Sequence, residues 1–408
     1  MEKCYGLIGE HLGHSFSPQI HRMLGGYAYS LYELAPDEVA EFVKSGPLAG
    51  MNVTIPYKKT VLPLCDTLSD AARAIGSVNT VVRRPDGSLY GDNTDYYGFI
   101  WLLRSAGLDP RGKKVLVLGS GGASLTVQAA AKALGAREVV VISRTGENHY
   151  GNLERHADAQ MIFNTTPVGM YPEVDRAPLS LEGFPECCGV ADLIYNPANT
   201  RLLLDAQARE IPCAGGLGML AAQAKAAAEL FLGQEIPEAR VGEIVRRIER
   251  QTKNIVLVGM PGCGKSTVGR LIGRELERSF ADTDELVERR CGCTIPELFA
   301  RRGEAAFRAL EHQVLAEIAK ESGMVIATGG GIVTNPDNLS LLRQNSVTVY
   351  LRRSLSTLPR EGRPLSLSGD LTEMLRRREP LYRAFSDFSE ENRTPEQAAR
   401  DIIKGVME

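Results

Sequence analysis

The segment Asn254-Ile-Val-Leu-Val-Gly-Met-Pro-Gly-Cys-Gly-Lys-Ser-Thr267 is an apolar, β-branched run followed at once by a glycine-rich turn and a helical pattern. The same format occurs earlier, in Lys114-Val-Leu-Val-Leu-Gly-Ser-Gly-Gly-Ala123. A buried strand that leads through a glycine turn into a helix is the first unit of a nucleotide-binding α/β domain. Two such units predict two nucleotide-binding domains in one chain.

The composition is that of a globular protein with several domains. The 408 residues predict two to three domains at roughly 150 residues each. The 47 Lys and Arg against 50 Asp and Glu lack the positive excess of a non-specific nucleic-acid binder. No apolar run is long enough to span a bilayer, and the first residues lack a secretory signal pattern. We therefore expect a cytoplasmic protein with reduced cysteines and with no nucleic-acid, membrane or obligatory protein partner.

The patterns around the two glycine turns place the predicted domains. Short strand patterns alternate with helical ones before the first turn, which predicts an α/β substrate domain over residues 1–101. A dinucleotide-binding Rossmann domain follows over 102–220, and a helix within 221–240 completes the substrate domain. The stretch 241–252 has helical spacing and few groups to bury, so we predict a linker there. Residues 253–408 then form a P-loop α/β domain with a parallel sheet.

The first glycine turn fits a dinucleotide. Gly119, Gly121 and Gly122 allow backbone N–H groups to approach a pyrophosphate at the N-terminus of the following helix. Ser124 occupies the position of the third glycine of the full fingerprint. A plain strand-to-helix turn therefore stays an alternative.

The end of the next predicted strand, residues 138–142, indicates which dinucleotide would bind. It is followed by Ser143-Arg144-Thr145, whose guanidinium and hydroxyl groups suit a ribose 2′-phosphate. An acidic residue there would instead hydrogen-bond a free 2′-hydroxyl. The segment favours NADP over NAD, with a solvated Arg144 as the alternative.

Four short polar stretches before the first glycine turn supply hydroxyl, amide and ionisable groups on loops. They are 14–18, 52–58, 75–80 and 91–95. Pro56 ends a strand pattern and places Lys58 on the following loop, where its ammonium can face a cleft. Each stretch has a structural alternative, such as a solvated lysine or a helix N-cap. Together they predict a pocket for a small polyhydroxy acid with one acid–base pair.

With these motifs in this order, residues 1 to about 240 resemble shikimate dehydrogenase. The resemblance continues through 164–170, 192–197 and 215–223. It implies reversible, NADPH-dependent reduction of the C3 ketone of 3-dehydroshikimate to shikimate. It also implies that Lys58 and Asp95 form the catalytic pair; which of them delivers the proton stays open.

The same resemblance implies two sets of binding residues. The substrate set is Ser15, Ser17, Thr54, Asn79, Thr94, Tyr195 and Gln223. The NADP set is Gly119, Gly121, Gly122, Ala123, Ser143, Arg144, Thr145, Thr165, Gly216 and Met219. The chain departs from the family between Thr145 and the strand predicted near Gln160, where little room is left for a crossover helix.

The second glycine turn, Gly259 to Ser266, satisfies GxxxxGK(S/T) between a strand and a helix. Its backbone N–H groups would cradle the phosphates of ATP, Lys265 would reach the β and γ groups, and the Ser266 hydroxyl would bind Mg²⁺. Further on, Asp282 and Asp284 end a strand pattern with two carboxylates predicted on one face. One near Mg²⁺ and one near an acceptor hydroxyl would serve phosphoryl transfer.

This order and spacing resemble shikimate kinase over residues 253 to 408. The resemblance implies Asp284 at the shikimate hydroxyls and Asp282 at Mg²⁺. The carboxylate of the substrate would be held by Arg308 and Arg378, with backbone contacts from Gly329, Gly330 and Gly331. The ATP set is Gly262, Cys263, Gly264, Lys265, Ser266, Thr267, Arg363 and Pro395, with Arg363 catalytic and carried by a short lid.

The two resemblances are chemically consistent, because the hydroxyl made by the first reaction is the one phosphorylated in the second. Two alternatives stay open. One is a regulatory protein that binds quinate-like ligands without turnover. The other is a quinate dehydrogenase joined to a different small-molecule kinase. The cysteines add two minor hypotheses: Cys291 and Cys293 as a buried pair at a helix end, and oxidative inhibition through Cys263.

Overall fold

The computed structural model describes residues 3–13, 15–357 and 371–407. The chain divides into two compact units, Met1–Tyr195 with Thr200–Arg247, and Asn196–Asn199 with Ile248–Glu408. The described residues form two sheets in the first unit and one in the second. The predicted α/β class is confirmed.

The first sheet is mixed and has the strand order β2-β1-β3-β5-β6-β4. Its strands are β1 (Cys4–Gly9), β2 (Ala28–Glu33), β3 (Gly50–Val53), β4 (Thr67–Leu68), β5 (Thr80–Arg83) and β6 (Leu89–Asp92). The helices of this part are α1 (Ser17–Leu24), α2 (Val39–Ser45), α3 (Asp70–Ile75) and α4 (Thr94–Ser105). Strand β5 pairs antiparallel with both β3 and β6. The loops that follow β3 and β6 therefore lie on either side of the start of β5.

The second sheet is parallel, with the order β11-β10-β9-β7-β8. Its strands are β7 (Lys114–Leu118), β8 (Glu138–Ile142), β9 (Met161–Asn164), β10 (Gly189–Asp192) and β11 (Cys213–Gly215), and its helices are α5 (Gly122–Ala133), α6 (Arg201–Ala208) and α7 (Leu217–Leu232). Every residue of β7 is buried, as expected for an interior strand of a parallel sheet. The strand order reverses beside β7, which creates a crevice for a ligand at its carboxyl end. The connection from β8 to β9 contains one short 3-10 turn, Leu153–His156, where the crossover helix was predicted to be short or missing.

Helix α7 joins the cores of both sheets of the first unit. Met219, near its start, is buried in the core beside β7, whereas Ala227 and Phe231 pack with Tyr5 of β1. Gly98 lets α4 approach α7, because a Cβ there would lie 2.7 Å from the Met219 carbonyl oxygen. This close packing brings the start of α4 to Gln223.

The predicted linker, residues 241–252, lies within helix α8 (Ala239–Thr252). Val241, Ile244 and Ile248 of that helix are buried. They recur at a spacing of three and four residues, which places them on one face. The boundary between the two compact units falls within α8.

The third sheet is parallel, with the order β13-β14-β12-β15-β16. Its strands are β12 (Asn254–Val258), β13 (Phe280–Asp282), β14 (Val325–Ala327), β15 (Ser346–Arg352) and β16 (Phe388–Glu391). Its helices are α9 (Lys265–Glu275), α10 (Thr283–Cys291), α11 (Ile295–Ile318), α12 (Asp337–Asn345), α13 (Leu371–Phe385) and α14 (Pro395–Met407). The central strand β12 is wholly buried and runs directly into the second glycine turn. Across the described ranges, no helix combines the length and apolarity needed to cross a membrane.

Candidate active sites

Lys58 and Asp95 meet in the first unit. The Lys58 ammonium lies 2.5 Å from a carboxylate oxygen of Asp95, which is 37 residues further along the chain. Asp95 lies in the first turn of α4, where the helix dipole favours a carboxylate. The two side chains are 24% and 15% exposed. The pair is thus shielded but reachable from solvent, as an acid–base pair must be.

Three further residues of the predicted substrate set lie in one buried hydrogen-bonded group. The Asn79 carboxamide oxygen accepts from the backbone N–H of Thr94 at 2.6 Å. The Thr94 hydroxyl lies 3.1 Å from that oxygen and 3.5 Å from Oε1 of Gln223. Since Thr94 directly precedes Asp95, this group adjoins the Lys58–Asp95 pair.

The remaining predicted substrate residues lie on loops, except for Ser17 at the start of α1. Ser15 accepts a hydrogen bond from the backbone N–H of Ser17, the first residue of α1, at 3.2 Å. Thr54 follows β3, and its backbone N–H donates to the carbonyl of Ile8. Tyr195 follows β10 and packs edge-on against Phe16, with ring centroids 5.9 Å apart. The contact brings Tyr195 to the loop of the two serines.

The first glycine turn has the geometry of a phosphate cradle. Gly119 follows β7 with φ +104°, and a Cβ there would lie 2.9 Å from the hydroxyl of Thr165. Thr165 in turn donates to the carbonyl of Leu118 at 2.6 Å. Apart from the adjoining backbone, no atom of the described residues lies within 4 Å of where a Cβ of Gly121 or Gly122 would be. A pyrophosphate can therefore approach the N-terminus of α5, which fits the dinucleotide that the sequence predicts.

The segment after β8 presents polar groups at the surface. The Ser143 N–H donates to the carbonyl of Asn148, which closes residues 143–148 into a compact loop. Arg144 and Thr145 are exposed on it. This exposure leaves both side chains available to a ribose phosphate. Among the other predicted cofactor residues, Ala123 is in the first turn of α5 and Gly216 precedes α7, where a Cβ would meet the Leu193 carbonyl oxygen at 2.0 Å.

The sequence reasoning missed Asp192 as an organising group. This carboxylate is fully buried at the end of β10 and accepts from Asn164 Nδ2, Thr200 Oγ1 and the Ile194 N–H. Burial raises its pKa to about 6, although these hydrogen bonds oppose the shift. It joins the loop after β9 to the loop after β10. The sequence did contain a signal for Asp192, namely an acidic residue at the end of an apolar strand pattern.

The second glycine turn, in the second unit, has the backbone geometry expected of a phosphate-binding loop. The Lys265 ammonium donates to the carbonyls of Gly259 and Met260 at 2.9 and 3.0 Å. Gly264 has φ +101°, and a Cβ there would lie 2.3 Å from Nδ2 of Asn392. Asn392, which the sequence reasoning missed, is buried and donates to the carbonyl of Cys263 at 2.7 Å. This contact holds the backbone of the loop at the N-terminus of α9. Backbone N–H groups at a helix N-terminus suit the phosphates of ATP.

The two aspartates after β13 differ in position. Asp282 ends the strand, accepts from the Ser266 hydroxyl at 2.6 Å and caps α10 through the Asp284 N–H. Asp284 lies in the first turn of that helix. The prediction that both carboxylates lie on one strand face is wrong, because the strand ends at Asp282. The hydroxyl–carboxylate pair of Ser266 and Asp282 supplies the oxygen ligands that Mg²⁺ prefers.

Arg308 is held by two carboxylates on its own helix, α11. Its Nη1 lies 2.6 Å from Oε2 of Glu311, and its Nη2 lies 3.2 Å from Glu304. Glu311 is almost fully buried, whereas the Glu304 side chain is 56% exposed. Burial raises the pKa of Glu311, and the adjacent guanidinium of Arg308 opposes that rise. The sequence reasoning missed Glu311; a glutamate three residues after a proposed substrate arginine was the signal.

The segment Gly329–Gly331 lies against these charged side chains. A Cβ at Gly329 would lie 2.4 Å from Oε1 of Glu311 and 2.6 Å from Oδ1 of Asp284. The Gly330 carbonyl accepts from Nη1 of Arg378 at 3.2 Å. Because these glycines have no side chains, the carboxylates of Asp284 and Glu311 and the guanidinium group of Arg378 can lie close to their backbone. This backbone forms one wall of a pocket.

One cavity of about 540 Å³ connects this wall with the phosphate-binding loop. It is lined, among others, by Gly262, Gly264, Lys265, Ser266, Thr267, Asp282, Asp284, Arg308, Glu311, Gly329, Gly330, Gly331 and Arg378. Most of the nucleotide and acceptor residues predicted for the second unit thus line one cavity, although Cys263 and Pro395 do not. Pro395 begins α14. Arg363, which the resemblance assigns to a short lid, lies outside the described residues.

The cysteine hypotheses have different outcomes. Cys263 is fully buried, so its thiol is shielded from oxidants. Cys291 and Cys293 are half-buried at the end of α10, with their sulfur atoms 3.3 Å apart. Within the described residues, no cluster of three or more His, Cys, Asp or Glu side chains suits a metal ion.

Comparison with known proteins agrees with both halves of this description. A family model described as "Shikimate dehydrogenase substrate binding domain" matches residues 7–81, and one described as "Shikimate kinase" matches residues 261–407. The shikimate dehydrogenase (NADP(+)) of Oleidesulfovibrio alaskensis is 40% identical over 266 residues, which cover 60% of this chain and 94% of that protein.

The solved structures similar to the first unit include a fusion protein and a quinate dehydrogenase. A chorismate mutase/shikimate 5-dehydrogenase fusion protein from Clostridium acetobutylicum is 35% identical with a TM-score of 0.58, over 61% of this chain and 98% of that one. Quinate dehydrogenase from Corynebacterium glutamicum in complex with NAD is 27% identical with a TM-score of 0.54, over 60% and 98%.

The folds and sites define a protein that joins a dinucleotide-dependent oxidoreductase to a P-loop phosphotransferase. The chain belongs to the shikimate dehydrogenase family, and its C-terminal part is a shikimate kinase domain. It is a bifunctional enzyme of the shikimate pathway.

Proposed function

We propose that the first unit reduces 3-dehydroshikimate to shikimate with NADPH, and that the second phosphorylates the new C3 hydroxyl with ATP and Mg²⁺. One observation carries this proposal. Each unit contains a glycine turn at a helix N-terminus and, in the same unit, polar side chains suited to a small polyhydroxy acid. In the first these are the groups around Lys58 and Asp95, and in the second those around Arg308 and Asp284.

In the reduction, NADPH supplies the hydride when bound. As the C3 oxygen of the substrate gains negative charge, the ammonium of Lys58 is placed to stabilise that charge or to supply the proton. Asp95 holds the ammonium through their 2.5 Å contact. Asn79, Thr94 and Gln223 hydrogen-bond the ring hydroxyls.

In the phosphorylation, ATP supplies the phosphoryl group and Mg²⁺ neutralises phosphate charge. Ser266 and Asp282 hold the metal side, and Lys265 carries its ammonium at the phosphate loop. Asp284 accepts the proton of the attacking hydroxyl. Arg308 and Arg378 bind the substrate carboxylate, to which planar guanidinium groups are well matched.

The relatives support the choice of substrates and nucleotides. The curated relatives that match the first unit are named for shikimate and NADP(+), and exposed Arg144 suits a 2′-phosphate. The C-terminal match is to shikimate kinase, and P-loop kinases transfer the γ-phosphate of ATP with Mg²⁺. We place both reactions in the cytoplasm and assign no nucleic-acid, membrane or obligatory protein partner.

A coupled assay with the full chain tests the proposal. Incubation with 3-dehydroshikimate, NADPH, ATP and Mg²⁺ should yield shikimate 3-phosphate. Omission of ATP should stop the sequence at shikimate, and omission of NADPH should stop it before any product. Quinate with NAD serves as the competing substrate pair. Faster turnover of that pair would favour a quinate dehydrogenase, and binding of both nucleotides without turnover would favour a regulatory protein.

A further inference from the structure

Thr80, the first residue of β5, contacts two predicted substrate residues of the first unit, Asn79 and Thr94. The strand register places it directly opposite Asn52 of β3 and beside Asp92 of β6. Its side chain is fully buried. A hydroxyl in that position must find its partners within the protein.

The Thr80 hydroxyl has three polar partners. It accepts from Nδ2 of Asn52 at 3.0 Å and donates to the Asn79 carboxamide oxygen at 3.1 Å. It also lies 3.0 Å from the Thr94 hydroxyl. Asn52 is itself anchored, because its own oxygen accepts from the Tyr29 hydroxyl at 2.8 Å. The hydrogen bonds thus run in one direction, from Tyr29 through Asn52 and Thr80 to Asn79.

These hydrogen bonds hold the carboxamide of Asn79 in one orientation. Its carboxamide oxygen lies within reach of the Thr94 N–H, the Thr94 hydroxyl and the Thr80 hydroxyl, at 2.6, 3.1 and 3.1 Å. An amide oxygen has two lone pairs. The Thr94 N–H and the Thr80 hydroxyl fill both when the Thr94 hydroxyl donates to Oε1 of Gln223, which lies 3.5 Å away. Only the Nδ2 group of Asn79 is left to meet a substrate hydroxyl.

We propose that Thr80 is a positioning residue of the dehydrogenase site, which fixes Asn79 as a hydrogen-bond donor to a ring hydroxyl of the substrate. The inference rests on the proposed function, because it assumes that Asn79 binds that substrate. Thr80 acts through Asn79 and Thr94 and does not itself touch the reacting atoms. No charge changes in this arrangement, so its effect is on substrate affinity and not on proton transfer.

Thr80→Val tests the inference, since valine keeps the shape and removes the hydroxyl. Loss of one buried hydrogen bond should raise the KM for shikimate about tenfold in NADP⁺-dependent oxidation. The kcat, the KM for NADP⁺ and the kinase activity of the same chain should stay unchanged. Thr80→Ser should restore the KM for shikimate, and Thr80→Cys, whose thiol is a weak donor, should lie between.

Deoxy analogues of shikimate distinguish a positioning role of Thr80 from a purely structural one. The tenfold effect of Thr80→Val should disappear for the analogue that lacks the hydroxyl bound by Asn79. If Thr80→Val does not fold, the Ser and Cys variants give the same comparison.

Three outcomes would overturn the inference alone: an unchanged KM for shikimate in Thr80→Val, a Thr80→Ser variant as defective as Thr80→Val, or KM values for shikimate and NADP⁺ that rise together. A wild-type chain that does not oxidise shikimate would instead overturn the proposed function, and this inference with it.

Discussion

Replacement of Lys58 by alanine should separate the chemistry of the first site from its stability. The variant loses the ammonium that lies 2.5 Å from Asp95. A positioned acid or base contributes about 10²–10⁴-fold to a rate, which corresponds to about 3–5 kcal/mol of transition-state stabilisation. We therefore expect kcat for 3-dehydroshikimate reduction to fall by at least about 10²-fold.

The expected cost in stability is much smaller. Both partners are partly exposed, at 24% and 15%, and an ion pair in contact with solvent contributes about 0–1 kcal/mol. For a unit of this size such a loss lowers Tm by at most about 2–4 °C. The binding of NADP⁺ should be unchanged, because the glycine turn after β7 does not involve Lys58.

The assay follows NADPH absorbance with the full-length chain and uses two controls. Lys59→Ala removes a neighbouring exposed ammonium and should retain wild-type turnover. The kinase activity of the Lys58→Ala variant reports on the folding of the second unit. Turnover of Lys58→Ala within a few fold of wild type would refute the assigned role, as would a large fall in Tm that accounts for the lost activity.

Two further predictions concern buried carboxylates. Glu311→Gln should raise the KM for shikimate in the kinase reaction about 10–100-fold, since a charged hydrogen bond that orients Arg308 contributes about 1.5–3 kcal/mol. Glu304→Gln, at the exposed partner of the same arginine, is the matched control, and equal KM values for the two variants would contradict this role. The raised pKa of Asp192, about 6, means that its carboxyl binds a proton more tightly in the folded than in the unfolded chain. As pH rises from about 4 to about 6, the free energy of unfolding of the wild type should therefore fall by at most about 3 kcal/mol relative to that of Asp192→Asn. A difference in unfolding free energy that is independent of pH would exclude this titration.

The predicted family resemblances and the α/β class are confirmed, and the strands before both glycine turns were located to within a residue. Lys114–Leu118 and Asn254–Val258 are fully buried parallel strands, and such strands are continuous apolar runs that a sequence shows directly. The roles of the predicted site residues stay predictions, although the structure brings Lys58 to Asp95 and groups Asn79 with Thr94. The placement of Asp282 and Asp284 on one strand face was wrong, because a helix cap interrupts the strand pattern.

The sequence by itself determined the two strand–glycine turn–helix segments proposed to bind the nucleotides, because each consists of consecutive residues. A phosphate bound at a helix N-terminus needs a strand, glycines and a helix start in one short segment. The order of residues within one short segment is enough to specify such a site. Lys265 and Ser266 belong to that segment and are therefore predicted with it.

Only the tertiary structure decided which side chains support the substrate groups. Thr80 meets Asn52 through the pairing of β3 with β5, and Asp192 meets Asn164 through the pairing of β9 with β10. Glu311 becomes a buried partner of Arg308 only because α11 packs its side chain beneath Gly329. The spacing of Arg308 and Glu311 is local, but the strand register behind the first two contacts and the packing that buries Glu311 join residues far apart in the chain, and no local pattern specifies them.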